Sequence, residues 1–128
     1  LYNALATRLG LAVKAVHLPE AFGQGPHVFT LLDLWPFRGR EALDVENILL
    51  EGFAYRGHRA APERQVWGDR ELLADLYVRV GNEAFDKGEL EGALRCYRTA
   101  RRLNPGYLVA KANCVIAQAA IRSAAARG

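Results

Sequence analysis

The feature that most constrains the fold is a pair of helical segments joined by a short turn in the second half of the chain. Helices are predicted over 69–86 and 89–103, and Lys87 and Gly88 supply the tight turn between them. Gly81 lacks a Cβ and therefore allows the paired helix to approach closely. Packing between the two helices is assigned to apolar residues at helical spacing, namely Leu76, Val80, Leu90, Leu94, Tyr97 and Leu103.

This segment resembles one tetratricopeptide repeat, a helix–turn–helix unit of about 34 residues. The match runs from Ala74 to Tyr107 and is carried by Tyr77, Val80, Gly81, Ala84, Ala93, Tyr97, Ala100 and Pro105. Ala84 departs from the family pattern, which usually has Tyr at that position. Because such a unit cannot bury its apolar face alone, the resemblance implies packing against another element. A third helix, predicted over 107–126, is expected to be a terminal capping helix.

Composition and charge limit the class of protein. The chain has 128 residues, of which 51% are hydrophobic and 24% charged, typical of soluble globular proteins. A formal charge of +3 is too weak to argue for nucleic acid, and no transmembrane run or signal peptide is recognisable. The two cysteines lack CxxC spacing, so a cytoplasmic compartment is expected. The chain has no Met and opens in mid-pattern, which indicates a fragment of a longer protein.

The first half of the chain is predicted to combine one helix with a small antiparallel sheet. A helix over 1–9 ends at Gly10, which suits the left-handed position after a helix. Short apolar runs rich in β-branched residues predict strands over 11–18, 27–34 and 41–49. A loop is expected over 19–26 and a turn over 35–40. Residues 48–55 could be the end of a strand or a short helix, and 56–69 is expected to be an Arg-rich connector.

This order of elements resembles the transglutaminase-like (papain-type) superfamily over roughly residues 1–50. The matching stretches are 1–11 (LYNALATRLGL), 15–19 (AVHLP), 27–29 (His-Val-Phe) and 43–47 (Leu-Asp-Val-Glu-Asn). In that family a Cys opens the core helix, a His begins the next strand, and an Asp or Glu lies on the strand after it. Bacterial members that join this lobe to tetratricopeptide repeats share the architecture.

The resemblance implies a Cys–His–acid site for acyl transfer, with His27 as the base and Glu46 or Asp44 as the acid. In such a site the thiolate attacks an acyl carbonyl, the His shuttles the proton, and the acid orients the imidazole. A hairpin centred on 36–37 would pair residues whose numbers sum to about 73. His27 would then face Glu46 while Asp44 faced Phe29, so Glu46 is the favoured partner.

No Cys precedes His27, so the nucleophile is expected upstream of this chain or has been lost. Cys96 and Cys114 come from the wrong segment and in the wrong order to replace it. His17 and His58 have no partner spacing and are expected to be structural or solvent-facing. With the two cysteines they form no zinc pattern, so neither a metal nor another cofactor is expected.

A basic stripe on the second helix is a candidate binding surface. Arg95, Arg98 and Arg102 fall on one helical face at i, i+3 and i+7. Such a stripe can bind acidic peptides or phosphates. A solvated face balanced by nearby glutamates is the favoured alternative.

The predicted fold is α+β, with a truncated transglutaminase-like lobe and small antiparallel sheet (1–55), a connector (56–69), and a tetratricopeptide-type helical hairpin plus capping helix (70–128). The leading hypothesis is a protein–protein interaction or assembly module on a catalytically incomplete lobe. Its partner would be a protein, a peptide or another copy of the chain, not nucleic acid or membrane. The alternative is a fragment of a thiol-dependent acyl-transfer enzyme, a peptidase or transglutaminase-like protein, whose Cys lies upstream of Leu1. A third option is a structural subunit with an inert sheet lobe.

Overall fold

The chain combines helices with one small antiparallel sheet. The computed structural model describes residues 2–23, 25–33, 42–46, 49 and 55–127. In chain order the elements are α1 (Tyr2–Arg8), β1 (Val13–Leu18), β2 (His27–Leu32), β3 (Leu43–Val45), β4 (Gln65–Trp67), α2 (Asp69–Asp86), α3 (Leu90–Leu103) and α4 (Leu108–Ala125). They divide into two compact units, residues 1–68 and residues 69–128. The predicted α+β class is confirmed. Among the described residues, every helix is too short or too polar to cross a membrane.

The first unit is built around an antiparallel sheet with the strand order β3-β2-β1-β4. β1 pairs with β2 along its whole length, from Val13 opposite Leu32 to Leu18 opposite His27. On its other edge β1 pairs with β4. Residues 15–18 of β1 are all buried, so this part of the strand is covered on both faces.

The two faces of the sheet have different occupants. On one face Val16, Leu18 and Phe29 form an apolar core, with Ala61 packed against it. The strand pairings place Asp44 on this same face, because it lies opposite Leu31 and side chains alternate along each strand.

The opposite face carries α1. The Thr30 hydroxyl donates a hydrogen bond to Oδ1 of Asn3 at 2.7 Å, which ties the helix to β2. On this face the His17 ring also stacks on Trp67, with ring centroids 4.0 Å apart. Gly10 ends α1 in the left-handed region (φ 75°), as predicted.

The register between β2 and β3 differs from the predicted one. Thr30 lies opposite Val45 and Leu31 opposite Asp44, so paired numbers sum to 75 rather than 73. Asp44 therefore does not face Phe29. A shift of two residues preserves side-chain alternation, so Asp44 stays on the face predicted for it. The predicted turn at 35–40 lies outside the described residues, as does most of the ambiguous stretch 48–55.

The segment 56–69 was expected to be a connector, but its residues 56–68 belong to the first unit and Asp69 begins α2. Its residues Gln65–Trp67 form β4, and Trp67 is buried on the sheet. The sequence analysis missed this strand because Gln65-Val66-Trp67 is only three residues long and stands among arginines and turn residues. Such a short strand forms because β1 offers it an open edge, not because of its own propensity.

The second unit contains the predicted helical hairpin. α2 spans the predicted 69–86, while α3 and α4 begin one residue later than expected. Gly88 adopts a left-handed conformation (φ 79°) in the turn between α2 and α3. Gly81 lies where the two helices meet, and a Cβ built there would be 2.5 Å from Cε1 of Tyr97. The predicted close approach at Gly81 is therefore confirmed.

Only part of the predicted packing between helices is found. Leu94 and Tyr97 are buried, whereas Leu76 and Val80 are 57% and 53% exposed, so the prediction was wrong for these two. The buried positions on α2 are small or β-branched residues at i, i+4 and i+7, namely Ala74, Val78 and Gly81. Because α3 packs closely over this narrow face, the larger side chains of α2 are directed elsewhere.

Candidate functional site

His27 and Glu46 come together on the core face of the sheet, as predicted. Nε2 of His27 lies 2.7 Å from Oε2 of Glu46, whose side chain is 0% exposed. His27 begins β2, and Glu46 follows the last residue of β3, so both lie at one end of this strand pair. Extending the observed register by one residue would set Glu46 opposite Phe29, so that His27 reaches it across the diagonal. The contact therefore survives the change of register.

His58 is a further member of this site. Its Nε2 lies 3.1 Å from the same Oε2 of Glu46, and its side chain is only 8% exposed. Of the two alternatives expected for His58, the solvent-facing one is therefore wrong, and its partner Glu46 was not foreseen. His58 is 12 residues from Glu46 and lies in a turn over 57–60, so no local spacing links the two.

The carboxylate of Glu46 accepts hydrogen bonds from both imidazoles. Because a carboxylate oxygen only accepts, Nε2 carries the hydrogen on each ring. Nδ1 of each neutral imidazole is then the basic nitrogen. For His27, which is 18% exposed, this nitrogen belongs to a ring that solvent and ligands can reach.

Asp44, the second candidate acid, has a different partner. Arg64 donates from Nη1 to Oδ2 at 2.8 Å and from Nη2 to Oδ1 at 2.6 Å, a bidentate pair with a carboxylate that is 2% exposed. The Arg64 guanidinium also lies 5.3 Å from the centroid of the Phe29 ring. Asp44 therefore anchors the segment after residue 55 onto the sheet and does not orient His27.

Aromatic rings surround the histidines. Phe22 and Tyr55 each approach His58 edge-on with ring centroids 4.9 Å apart, and Phe29 lies 5.1 Å from it. The Phe22 ring also approaches the His27 ring edge-on, with ring centroids 5.6 Å apart. These rings give the three polar side chains an apolar surrounding, which strengthens electrostatic interactions among them.

The position of Phe22 depends on an unusual backbone conformation. Phe22 has φ 56°, a left-handed value that costs a bulky residue free energy. Gly23 and Gly25, which follow it in the loop, are also left-handed. The N–H of Ala21 donates to the carbonyl oxygen of Gly25 at 3.0 Å and closes this loop. The loop predicted from its glycines thus presents an aromatic ring to the histidines.

The candidate binding arginines remain on the surface of α3. Arg95, Arg98 and Arg102 are exposed and, with Arg101, line a surface depression of about 400 Å³. Nη2 of Arg102 donates to the Thr99 hydroxyl at 3.1 Å. The three arginines share one face of α3, as predicted. The binding of an acidic peptide or a phosphate to this face stays a prediction.

Neither cysteine belongs to the His27–Glu46 site. Cys96 and Cys114 lie on α3 and α4 of the second unit, and Cys114 is buried. Comparisons of the chain with protein-family models, curated proteins and solved structures gave no match. The geometry of the site is therefore the basis for the functional inference.

Proposed function

We propose that residues 1–68 carry the proton-transfer half of a thiol-dependent acyl-transfer site of the transglutaminase-like kind. His27 would act as the general base and Glu46 as the group that orients it. The observation that carries the proposal is the 2.7 Å contact between a reachable imidazole and a fully buried carboxylate. A second hydrogen bond, from His58, holds the same oxygen of Glu46 in place.

The proposed nucleophile is a Cys upstream of Leu1, at the start of the core helix. Its thiolate would attack the acyl carbonyl and form a thioester, while the leaving amine takes a proton from the His27 imidazolium. Water or a second amine would then attack the thioester and give its proton to His27, so that the sulfur leaves as thiolate and the thiolate–imidazolium pair is restored. Glu46 would favour the imidazolium in both steps because its carboxylate is desolvated and close.

The experiment uses the native full-length protein. Intact mass and N-terminal sequencing establish whether such a Cys is present, and alkylation by iodoacetamide then measures its reactivity. His27→Gln is expected to lower the alkylation rate by on the order of tenfold or more near pH 6, because the thiolate loses its cationic partner. The exposed Glu20→Gln should leave the rate unchanged. A native chain without the Cys, or equal rates in wild type and His27→Gln, would contradict the proposal.

A second candidate function, assembly through the helical unit, has support from a different observation. Four apolar side chains at i, i+3, i+4 and i+7 of α2 are at least one-third exposed, namely Leu73, Leu76, Tyr77 and Val80. At the other end of the unit, α4 exposes Leu108, Val115 and Ile116. A tetratricopeptide-type unit buries such faces by stacking, so we propose that α4 of one copy packs against α2 of the next.

Sedimentation velocity over a range of concentrations tests this assembly. The wild-type chain should self-associate, and Leu76→Glu should return it to monomers by placing a charge in the contact. Glu83→Gln, at an exposed polar position on the same helix, is the matched control. A wild-type chain that stays monomeric, or a Leu76→Glu chain that associates as well as the control, would reject stacking between copies.

A further inference from the structure

His27, Glu46 and His58 offer three ligand atoms that converge on one point. One ring nitrogen of each histidine and a carboxylate oxygen of Glu46 all lie within 4.8 Å of one another. Around a tetrahedral zinc ion, bonds of about 2.0–2.2 Å place neighbouring ligand atoms roughly 3.4 Å apart. The observed distances of 2.7 and 3.1 Å from Oε2 to the two nitrogens therefore need to open by less than about 1 Å.

From this convergence we propose that His27, Glu46 and His58 bind a divalent first-row transition-metal ion such as Zn²⁺. Two imidazoles and one carboxylate form a donor set typical of catalytic zinc sites and of non-haem iron sites, which keep further positions open. Mg²⁺ and Ca²⁺ prefer oxygen ligands and are not expected to bind here. The proposal is independent of the acyl-transfer chemistry, since it needs no residue outside the three.

The surroundings of the three side chains suit a metal ion. Glu46 and His58 are buried, which limits competition from water, while partly exposed His27 leaves an access route. The aromatic rings of Phe22 and Tyr55 stand beside His58 and lower the local dielectric constant. The guanidinium of Arg64, which also lies on this face, has its charge matched by Asp44 in a bidentate pair.

Metal binding would replace the two hydrogen bonds to Glu46 with three coordinate bonds, one from each side chain. Each histidine now presents its Nε2–H to Glu46, so binding at Nε2 requires the neutral tautomer whose hydrogen is on Nδ1. No oxidation or reduction accompanies this exchange. An ion bound here would also occupy the ring of His27, so metal binding and acyl transfer through His27 would exclude each other.

The first test is isothermal titration of the chelator-treated chain with Zn²⁺ and Co²⁺, with Mg²⁺ as the negative arm. Saturable binding of one Zn²⁺ or Co²⁺ per chain is expected, and none of Mg²⁺. His58→Gln keeps an N–H donor for Glu46 but removes the imidazole, so it should weaken binding by about 10–100-fold or more. Glu46→Gln should do the same. Glu20→Gln makes the identical change at an exposed site and should bind like wild type.

The second test needs no substitution and therefore stands even if a variant fails to fold. In long-range ¹H–¹⁵N spectra of the wild-type histidine rings, stoichiometric Zn²⁺ should shift the Nε2 signals of His27 and His58. The His17 ring, which is stacked on Trp67, should keep its signals. Three results would overturn the proposal: no Zn²⁺ binding, equal binding by folded Glu46→Gln and Glu20→Gln, or unshifted His27 and His58 rings.

Discussion

The two units of this chain bury different chemistry. In residues 1–68 the largest fully buried side chains include two carboxylates, Asp44 and Glu46, beside Phe29 and Leu18. Among the described residues of 69–128 alanine is the most frequent buried residue, and Tyr97 and Tyr107 are the largest buried ones. The first unit must therefore supply a cation or N–H donor for each buried charge, whereas the second depends on close contact between small residues.

The contacts in the two units also arise from different kinds of segment. In the sheet unit, Arg64 reaches Asp44 across 20 residues and His58 reaches Glu46 across 12. In the helical unit, Gly81 meets Tyr97 across a single tight turn. In the helical unit this contact joins two consecutive helices whose periodicity the sequence shows, whereas both contacts of the sheet unit come from the irregular segment 55–64.

The largest expected effect comes from removing one partner of the buried ion pair. Arg64→Met should destabilise the first unit by about 3 kcal/mol, because Asp44 would remain buried without its cation. Arg79→Met removes the i,i+4 partner of Asp75, but Arg79 is 67% exposed, so the cost should be about 0.5 kcal/mol. Both tryptophans lie within residues 1–68, so denaturant titrations followed by their fluorescence report the first unit. Far-UV circular dichroism follows the second.

Similar small losses for Arg64→Met and Arg79→Met would show that the first unit does not depend on buried charge. The contrast between the two units would then fail.

The next largest effect tests close packing in the helical unit. Gly81→Ala should destabilise it by about 2 kcal/mol, because the new Cβ overlaps the Tyr97 ring and also crowds Cβ of Cys96. The matched change Gly92→Ala adds a Cβ with neighbours no closer than 3.8 Å and should stabilise α3 by about 0.5–1 kcal/mol. Helical circular dichroism during denaturation measures both. A neutral or stabilising Gly81→Ala would show that α2 and α3 have room to separate.

The pH dependence of the helical unit follows from its buried tyrosines. Burial raises the pKa of Tyr97, and burial together with the hydrogen bond to Asp75 raises the pKa of Tyr107. The folded state then keeps protons that the unfolded state releases above about pH 10, so stability is fully present below that pH and falls above it. The expected slope is up to about 1.4 kcal/mol per pH unit for each tyrosine.

Tyr107→Phe separates the contributions of the two tyrosines. The variant should lose about 1 kcal/mol near neutral pH, because the 2.8 Å hydrogen bond to Asp75 disappears. Above pH 10 its stability should fall less steeply than that of wild type, because only Tyr97 then contributes. Equal slopes for both proteins, measured by helical circular dichroism in denaturant, would contradict the assignment to Tyr107.

The smallest expected effect is that of His27→Ala on stability. Glu46 keeps its hydrogen bond from His58 in this variant, so the loss should stay within about 1 kcal/mol by tryptophan fluorescence. A loss of several kcal/mol would identify His27 as a structural residue and would weaken both proposals for the site.

Two of the three side chains of the candidate site, His27 and Glu46, could be predicted from the sequence, whereas the strand register and His58 could not. The contact between His27 and Glu46 followed from strand alternation, which a two-residue error in register does not alter. The pairing of Asp44 with Arg64 could not be predicted, because nothing local to either residue indicates it. His58 was missed for the same reason: the ring gains its role only when residues 55–64 fold over the sheet.

The amino-acid sequence by itself determined the helices of the second unit, the strands β1 to β3 and the turn at Gly88. These features depend on periodicity, turn residues and side-chain alternation, which act over a few residues. Only the tertiary structure decided the strand β4, the exposure of Leu76 and Val80, and the cluster of His27, Glu46 and His58. Each of these depends on which distant segment covers a given face. That choice is made by the packing of the whole unit and not by any local pattern.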